Sequence, residues 1–342
     1  MSREMGCTEI HMKANDPHYI VPESVKSATA IFTVEENASY LAGGTDLMSL
    51  LKNGLCRPSC LIDLEKLDDL KKIETREDAI FAGAMVDLAR VAEDETINRL
   101  LGPVARAARS VASPQIRNMA TIGGNLLQAK RCLYFNQTEF WRQNIDPCHR
   151  LGGNCCYQIP KAGECRALYY SDLAPILTAY EARAVVLDGL SGHEVPMEDL
   201  IHRHCHGTLD KSLITGILIP HINDGSRGIF MKYGVRHAID FAFSNVGIRF
   251  TPRKKGGEPA SMGIVVGAVA PVPVRLEQTE KELLMGLNGG MVDKERIYAL
   301  AQRELQSRSA MIREHTVSLK GKHNALLIIV DALRAFFRAQ EK

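Results

Sequence analysis

The chain has 342 residues, 45% of them hydrophobic and 24% charged, with a net charge of +2. That length exceeds the ~250–300 residues at which one core usually stops growing, so two or three domains are expected. The small charge and the lack of a basic block interleaved with aromatics exclude a nucleic-acid partner, and the longest apolar run, Ala325 to Val330, is far short of a membrane span.

In chain order, the head from Met1 to Lys13 is polar and lacks the apolar core of a secretory signal, so a cytoplasmic location with no membrane partner is expected. From Ile20 to Asp63 the pattern reads as a helix (Ser24 to Phe32), a short strand (Tyr40 to Ala42), a Gly-Gly turn, a helix (Leu47 to Lys52) and a strand (Cys60 to Leu64), a small β-α-β unit. From Glu65 to about Leu190 come a strand (Ala79 to Ala82), helices at Leu88 to Asp94 and Arg99 to Val111, a second glycine pair, a cysteine-rich loop, a helix (Leu173 to Tyr180) and a strand (Ala184 to Leu187). His202 to His206 reads as a linker. Beyond it lie strands at Leu213 to Ile219, Ile229 to Tyr233 and Met262 to Val269, then amphipathic helices at Lys294 to Ser307 and His323 to Arg338 whose apolar residues recur at three and four.

Two glycine turns carry the first chemical signal. Leu41-Ala-Gly-Gly-Thr-Asp-Leu47 sits between strand and helix, where free N–H groups converge on an anion and two residues without Cβ let a pyrophosphate approach the main chain. Thr45 and Asp46 are candidates for bonds to phosphate or ribose. The pattern is neither G-x-G-x-x-G nor a Walker A loop, and a simple helix-capping turn would look the same. The second turn, Ala120-Thr-Ile-Gly-Gly-Asn-Leu126, follows Arg117, a candidate to neutralise phosphate; Asn125 can donate and accept at once, as a flavin edge requires. Two such turns suit a long dinucleotide.

The second signal is sulfur. Five of the nine cysteines fall between Arg131 and Tyr170, and Cys132, Cys148, Cys156 and Cys165 are separated by fifteen, seven and eight residues. Iron–sulfur clusters and structural zinc both need about four thiolates round one point, and a reducing compartment disfavours disulfides. Without a C-x-x-C pair, the ligands must come from a long segment wrapped round the centre. Scattered buried thiols are the alternative. Trp141 is placed to shield such a centre or simply to pack. His202, His204, Cys205 and His206 are weaker metal candidates; Cys7, Cys56, Cys60 and Cys205 read as isolated thiols. No Ser-His-Asp arrangement or carboxylate pair argues for hydrolysis, so no catalytic residue is expected on this chain.

Taken together, Ala42-Gly-Gly-Thr-Asp46, Ile116-Arg-Asn-Met-Ala-Thr-Ile-Gly-Gly-Asn125, Ser171-Asp-Leu-Ala-Pro175 and Lys232-Tyr-Gly-Val-Arg-His-Ala-Ile-Asp240 resemble the motifs of the medium, FAD-carrying subunits of the xanthine dehydrogenase family of molybdenum hydroxylases. The resemblance runs from about Ile20 to the C-terminus, with the motifs in the family's order. It implies an α+β chain: a two-part FAD-binding domain of the vanillyl-alcohol-oxidase/molybdenum-hydroxylase flavoprotein type over 1–215, divided into about 18–64 and 65–215, and a CO-dehydrogenase-flavoprotein-like α+β domain over 216–342. FAD would be held by Ala42, Gly43, Gly44, Thr45, Asp46, Leu47, Arg117, Thr121, Gly123, Gly124 and Asn125. Asp172 would reach the adenosine end and Lys232 would lie near the isoalloxazine.

In most of the family the second glycine turn leads almost directly to the Ser-Asp pair, whereas here about forty extra residues intervene. This insertion, with Arg131-Cys-Leu-Tyr-Phe-Asn-Gln137 and Glu139-Phe-Trp-Arg142, resembles that of the β subunits of the 4-hydroxybenzoyl-CoA reductases, a branch of the family. The resemblance implies a [4Fe–4S] cluster in the loop 130–170, held by Cys132, Cys148, Cys156 and Cys165, with Cys155 as rival third ligand. It further implies a large molybdopterin subunit, a small subunit with two [2Fe–2S] clusters, a dimer of heterotrimers and ferredoxin as electron donor. Purine, aldehyde or other aromatic hydroxylation, and a zinc-stabilised binding protein, are the alternative functions.

Overall fold

In the computed structural model, residues 17–189, 191–209, 212–221, 226–236, 239–252, 260–289, 291–309 and 319–340 are described, the side chains of 319–326 and 340 excepted. Cys7 and residues 237–238 of the fourth motif lie outside them. The first unit is a three-stranded parallel sheet, β1 (His18–Ile20), β2 (Ala38–Leu41) and β3 (Cys60–Asp63), with the fully buried β3 at its centre. The helix Val25–Val34 starts at Ser24 because Ser24 and Ser27 form a capping box, each side chain accepting from the other's backbone N–H. The helix Leu47–Lys52 links β2 to β3, as its sequence pattern predicts.

The second unit is an antiparallel sheet of β4 (Ile73–Thr75), β5 (Ala79–Gly83), β6 (Arg183–Asp188), β7 (Ser191–Pro196) and β8 (Leu213–Pro220) in the order β4-β5-β8-β6-β7. The helix expected over Arg99 to Val111 is two, Glu95–Leu100 and Gly102–Arg109. Gly102-Pro103 causes the restart, because proline lacks an N–H to donate back and fits a first turn. The expected linker at His202 to His206 is instead the end of a helix, Met197–His206. Its buried residues Met197, Leu200, Ile201 and Cys205 face the core, and Gly207 closes it in the left-handed conformation.

The third unit is an antiparallel sheet of β9 (Arg227–Tyr233), β10 (Ser244–Thr251), β11 (Ser261–Gly267) and β12 (Val274–Arg275) in the order β12-β11-β10-β9, covered by helices Glu277–Asn288, Lys294–Arg308 and Leu319–Gln340. A Cβ at Gly247 would lie 2.5 Å from Ile176 Cα, so the glycine lets helix Leu173–Ala179 of the second unit pack directly on β10. The boundary expected after 215 falls inside β8, whose pairing with β5 continues to Pro220. We place the division of the two large domains beyond that residue.

The cysteine loop emerges between helices Ile122–Leu126 and Leu173–Ala179. Its neck is zipped by reciprocal backbone hydrogen bonds between Arg131 and Leu168, 2.8 and 3.1 Å. It is bolted to the first unit by buried Arg142, which donates to Asn53 O and Gly54 O at the end of helix Leu47–Lys52, each 3.1 Å, and by the Arg57–Glu139 ion pair at 2.7 Å. Among the described residues, no helix is long and apolar enough to cross a membrane.

Candidate cofactor cleft and thiol pocket

The two glycine turns, some eighty residues apart in sequence, lie backbone against backbone. A Cβ on Gly43 would sit 1.6 Å from the carbonyl oxygen of Met119, so only glycine permits the approach. Gly44 adopts φ +69°, the left-handed region that a side chain would penalise. In the second turn Thr121 caps the helix Ile122–Leu126 by accepting from Gly124 N at 3.1 Å, and Gly123 packs on Ala84. Between the units the turns frame a cleft of about 700 Å³, lined by Ala42 to Leu47 and by Thr121, Gly123 and Gly124. The glycines serve the packing of the cleft's walls, because added Cβ atoms would meet Met119 O at Gly43, Ala84 O at Gly123 and Thr121 Oγ1 at Gly124, and a cleft of this volume is of the size that cofactor sites have.

Several of the expected contact residues also have partners within the protein. Asp46 lines the cleft, but its two carboxylate oxygens accept from Ala129 N at 2.9 Å and from Arg131 Nη2 at 2.6 Å. It is therefore a tie between the first turn and the start of the cysteine loop, and each oxygen keeps a further acceptor site at the cleft wall. Arg117 does not line the cleft. It donates to Val111 O and Ala112 O, 2.8 and 3.2 Å, and so secures the chain before its own helix. Asn125 is buried beneath the second turn, its Oδ1 accepting from Ser171 Oγ at 2.6 Å.

Asp172 and Lys232 do not stand at opposite ends of a cofactor. They form a buried ion pair, Nζ to Oδ2 2.6 Å, with Asn245 donating to the other carboxylate oxygen at 2.7 Å and Lys232 also donating to Ser110 O at 2.9 Å. Burial pushes the Asp172 carboxyl above its ordinary value, while Lys232 and Asn245 pull it down. The pair bridges the second unit to β9 and β10 of the third.

All five loop thiols, Cys132, Cys148, Cys155, Cys156 and Cys165, line one pocket walled by Tyr134, Phe135 and Tyr157. Trp141 is outside it, its ring tilted by 47° to that of Tyr134 with centroids 6.3 Å apart, so tyrosines, and not the tryptophan, cover the thiols. The donors are soft, and no carboxylate is among the residues of this wall, which suits an iron–sulfur centre or zinc better than a hard cation. Among the described residues, however, no group of three or more Cys, His, Asp or Glu side chains is arranged to hold a metal ion. The expected ligands Cys132, Cys148, Cys156 and Cys165 thus share a pocket without forming a ready-made site, and the His202–His206 cluster forms none either. Cys155 Sγ points to Pro147 O at 3.6 Å. The rings of His202 and His206 lie with centroids 4.1 Å apart, tilted by 30°.

The pocket and the cleft share two residues, Arg150 and Cys165. Arg150 is held by Lys130 O at 2.6 Å and by the face of Phe135 at 3.9 Å. Burial lowers its pKa, and the nearby Cys165, Cys132 and Cys148 oppose that shift. His204, from sequence a weak metal candidate on a linker, is another cleft residue. Its Nε2 pairs with Gln128 O at 2.9 Å, and burial holds the imidazole below its ordinary value, hence neutral. Its signal is present in retrospect, because it shares a helix with the buried positions Leu200, Ile201 and Cys205.

A two-part fold with paired glycine turns over an open cleft defines a dinucleotide-binding flavoprotein. The chain belongs to the family described as the FAD binding domain in molybdopterin dehydrogenase, whose model matches residues 11–222, and it is an oxidoreductase subunit. Among relatives it is 30% identical to the aldehyde oxidoreductase FAD-binding subunit PaoB of Escherichia coli over 73% of this chain and 80% of that protein. It is 26% identical to the carbon monoxide dehydrogenase medium chain of Hydrogenophaga pseudoflava over 83% and 84%. In fold it is similar to the solved carbon monoxide dehydrogenase of that organism, with TM-score 0.71, 21% identity and coverage of 95% of this chain and 98% of that one.

Proposed function

We propose that the chain is the FAD and [4Fe–4S] electron-transfer subunit of a molybdenum-dependent oxidoreductase of the 4-hydroxybenzoyl-CoA reductase type. In this reading it sits beside a large molybdopterin subunit and a small subunit with two [2Fe–2S] clusters, in a dimer of heterotrimers, with ferredoxin as donor in the cytoplasm. The observation that carries it is the thiol pocket joined to the glycine-turn cleft through Arg150 and Cys165. A bound flavin exchanges one or two electrons and a cluster exchanges one, so neighbouring sites suit a relay between a one-electron donor and a partner's centres.

Cys132, Cys148, Cys156 and Cys165 would hold the cluster. A ready-made site is not required, because metal binding organises its own ligands and a cubane gives each thiolate a separate iron. Tyr134 and Tyr157 exclude water from that side, Arg150 supplies a fixed positive charge between the two sites, and the turns at Gly43 and Gly124 would present their main chain to the dinucleotide. Reductive removal of the phenolic hydroxyl is assigned to the partner subunit. A second reading keeps the subunit and changes the partner's reaction to hydroxylation. It is favoured by the names of the relatives, which include aldehyde, nicotine and carbon monoxide enzymes.

Anaerobic purification followed by metal and flavin analysis tests the proposal. One FAD and about four irons per chain are expected; stoichiometric zinc without iron would remove the cluster, and a colourless chain would remove the relay. Assay of the co-purified complex with 4-hydroxybenzoyl-CoA and a reduced low-potential donor, against purine and aldehyde substrates with an oxidant, separates the two reactions.

A further inference from the structure

The wall that the first unit gives to the cleft holds a polar atom with no partner. Tyr40 lies on β2, just before the first glycine turn, and its ring stacks on Phe32 with centroids 4.2 Å apart and planes 15° from parallel. Both rings line the cleft. The Tyr40 hydroxyl is buried and makes no hydrogen bond. Such a group is costly unless whatever enters the cleft completes it. Burial also drives the phenol well above its ordinary pKa, so it keeps its proton and can donate.

The two walls differ in charge. The first unit lines the cleft with Phe32, Ala38, Ser39, Leu50 and Leu64 and with one charged group, Asp46, which is paired with Arg131, whereas the cysteine loop contributes Lys130 and Arg150. The isoalloxazine takes up negative charge when reduced, and cations near it favour that form. Adenine stays neutral and gains from a flat aromatic wall with one hydrogen-bonding tip.

We propose that Phe32 and Tyr40 form the adenosine seat of the bound dinucleotide, the Tyr40 hydroxyl donating to an acceptor atom of the adenine or its ribose. The flavin ring then lies toward Lys130 and Arg150, on the side of the thiol pocket. This assignment rests on FAD being the cofactor. It makes Tyr40 a residue that selects FAD over FMN, since only FAD carries an adenosine half.

The test uses the full chain freed of flavin and titrated calorimetrically with FAD, ADP and FMN. Tyr40→Phe keeps the ring and removes one oxygen. The dissociation constants for FAD and ADP should rise by the same factor, about tenfold, as for loss of one hydrogen bond in a closed site, while that for FMN is unchanged. The flavin-free variant should melt no lower than wild type, because the oxygen it loses has no partner in the folded chain. Phe32→Leu, which removes the stacked ring, should likewise weaken ADP and spare FMN. Wild-type ADP affinity in Tyr40→Phe, or equal weakening of FMN and FAD, overturns the assignment. If the wild-type chain itself binds neither FAD nor ADP, the flavin reading falls with it; if it binds both and the variants match it, only the adenosine seat falls.

Discussion

Gly43→Ala adds one carbon, and that carbon would lie 1.6 Å from the carbonyl oxygen of Met119 and 2.6 Å from its carbon. Ordinary contact begins near 3.4 Å, so the turns must part by about 2 Å. Neither side can swing away. Met119 N is bonded to Ile116 O at 3.1 Å, Ala120 N to the same oxygen at 2.7 Å, and Leu88 N to Ala120 O at 2.8 Å. Overpacking of this kind costs about 1–3 kcal/mol, and a backbone obstacle puts it at the upper end. Against a total stability of roughly 5–15 kcal/mol, the melting temperature should fall by about 5–10 °C. Because the displaced turns are those that frame the cleft, flavin should be lost as well. Gly163→Ala, where an added Cβ meets nothing within 4 Å, is the control and should change neither quantity. Calorimetric melting and the flavin absorbance of the purified chain measure both. Full flavin and an unaltered melting temperature in Gly43→Ala would refute the packing of the two turns.

Asp46→Asn keeps the shape but weakens the tie to Arg131, so the cysteine loop should become more open to proteolysis between 130 and 170, with a loss of about 1–2 kcal/mol measured by denaturant unfolding. Lys232→Met strands the Asp172 carboxylate and should cost about 3–5 kcal/mol near neutrality. The folded-state pKa of Asp172 is raised above its ordinary 3.8, so this group's contribution is fully present below that value and declines as pH rises through the folded pKa. Removing Lys232 raises the folded pKa further. The deficit of Lys232→Met relative to wild type should therefore shrink on acidification, and a deficit independent of pH in the melting curves would contradict the ion-pair account. Cys156→Ala should lose iron and Cys155→Ala should retain it, since the Cys155 thiol is directed at Pro147 O; the reverse in iron analysis would exchange the two assignments.

What was readable in the sequence follows the range of the interactions involved. The helix Leu47–Lys52 and the strand at Cys60 follow from local periodicity; the helix has the expected bounds and the strand ends at Asp63, one residue short of the expected Leu64. β10 is masked because Asn245 and Gly247 weaken its strand signal, yet both are fixed by distant partners, Asn245 by Asp172 and Gly247 by Ile176. Helix Glu277–Asn288 carries a buried acid, Glu280, that reads as surface until Arg275 is placed 3.0 Å from it. The same rule divides the site residues. The glycines were identifiable because their residue type is itself the constraint. Asp46 and Lys232 have structural partners that local sequence does not show, because those partners are 85 and 60 residues away.

The cysteine loop shows how such a fold can take on a second pocket without redesign. An insertion is tolerated when its ends already lie close together, because the closure cost grows only slowly with length. Here Arg131 and Leu168 bond reciprocally, so about forty residues leave and re-enter at a single point on the second unit. What then orders the loop is contact with the first unit, through Arg142 on the end of helix Leu47–Lys52 and Arg131 on Asp46. Both anchors sit at the two ends of the segment that follows the first glycine turn. Filling the cleft and ordering the thiol pocket therefore act on the same short helix and turn, so flavin binding and loop order should be coupled. A flavin-free chain should show faster amide exchange between 130 and 170 than the flavin-bound one. Equal exchange in the two states would mean that the loop is held independently of the cleft.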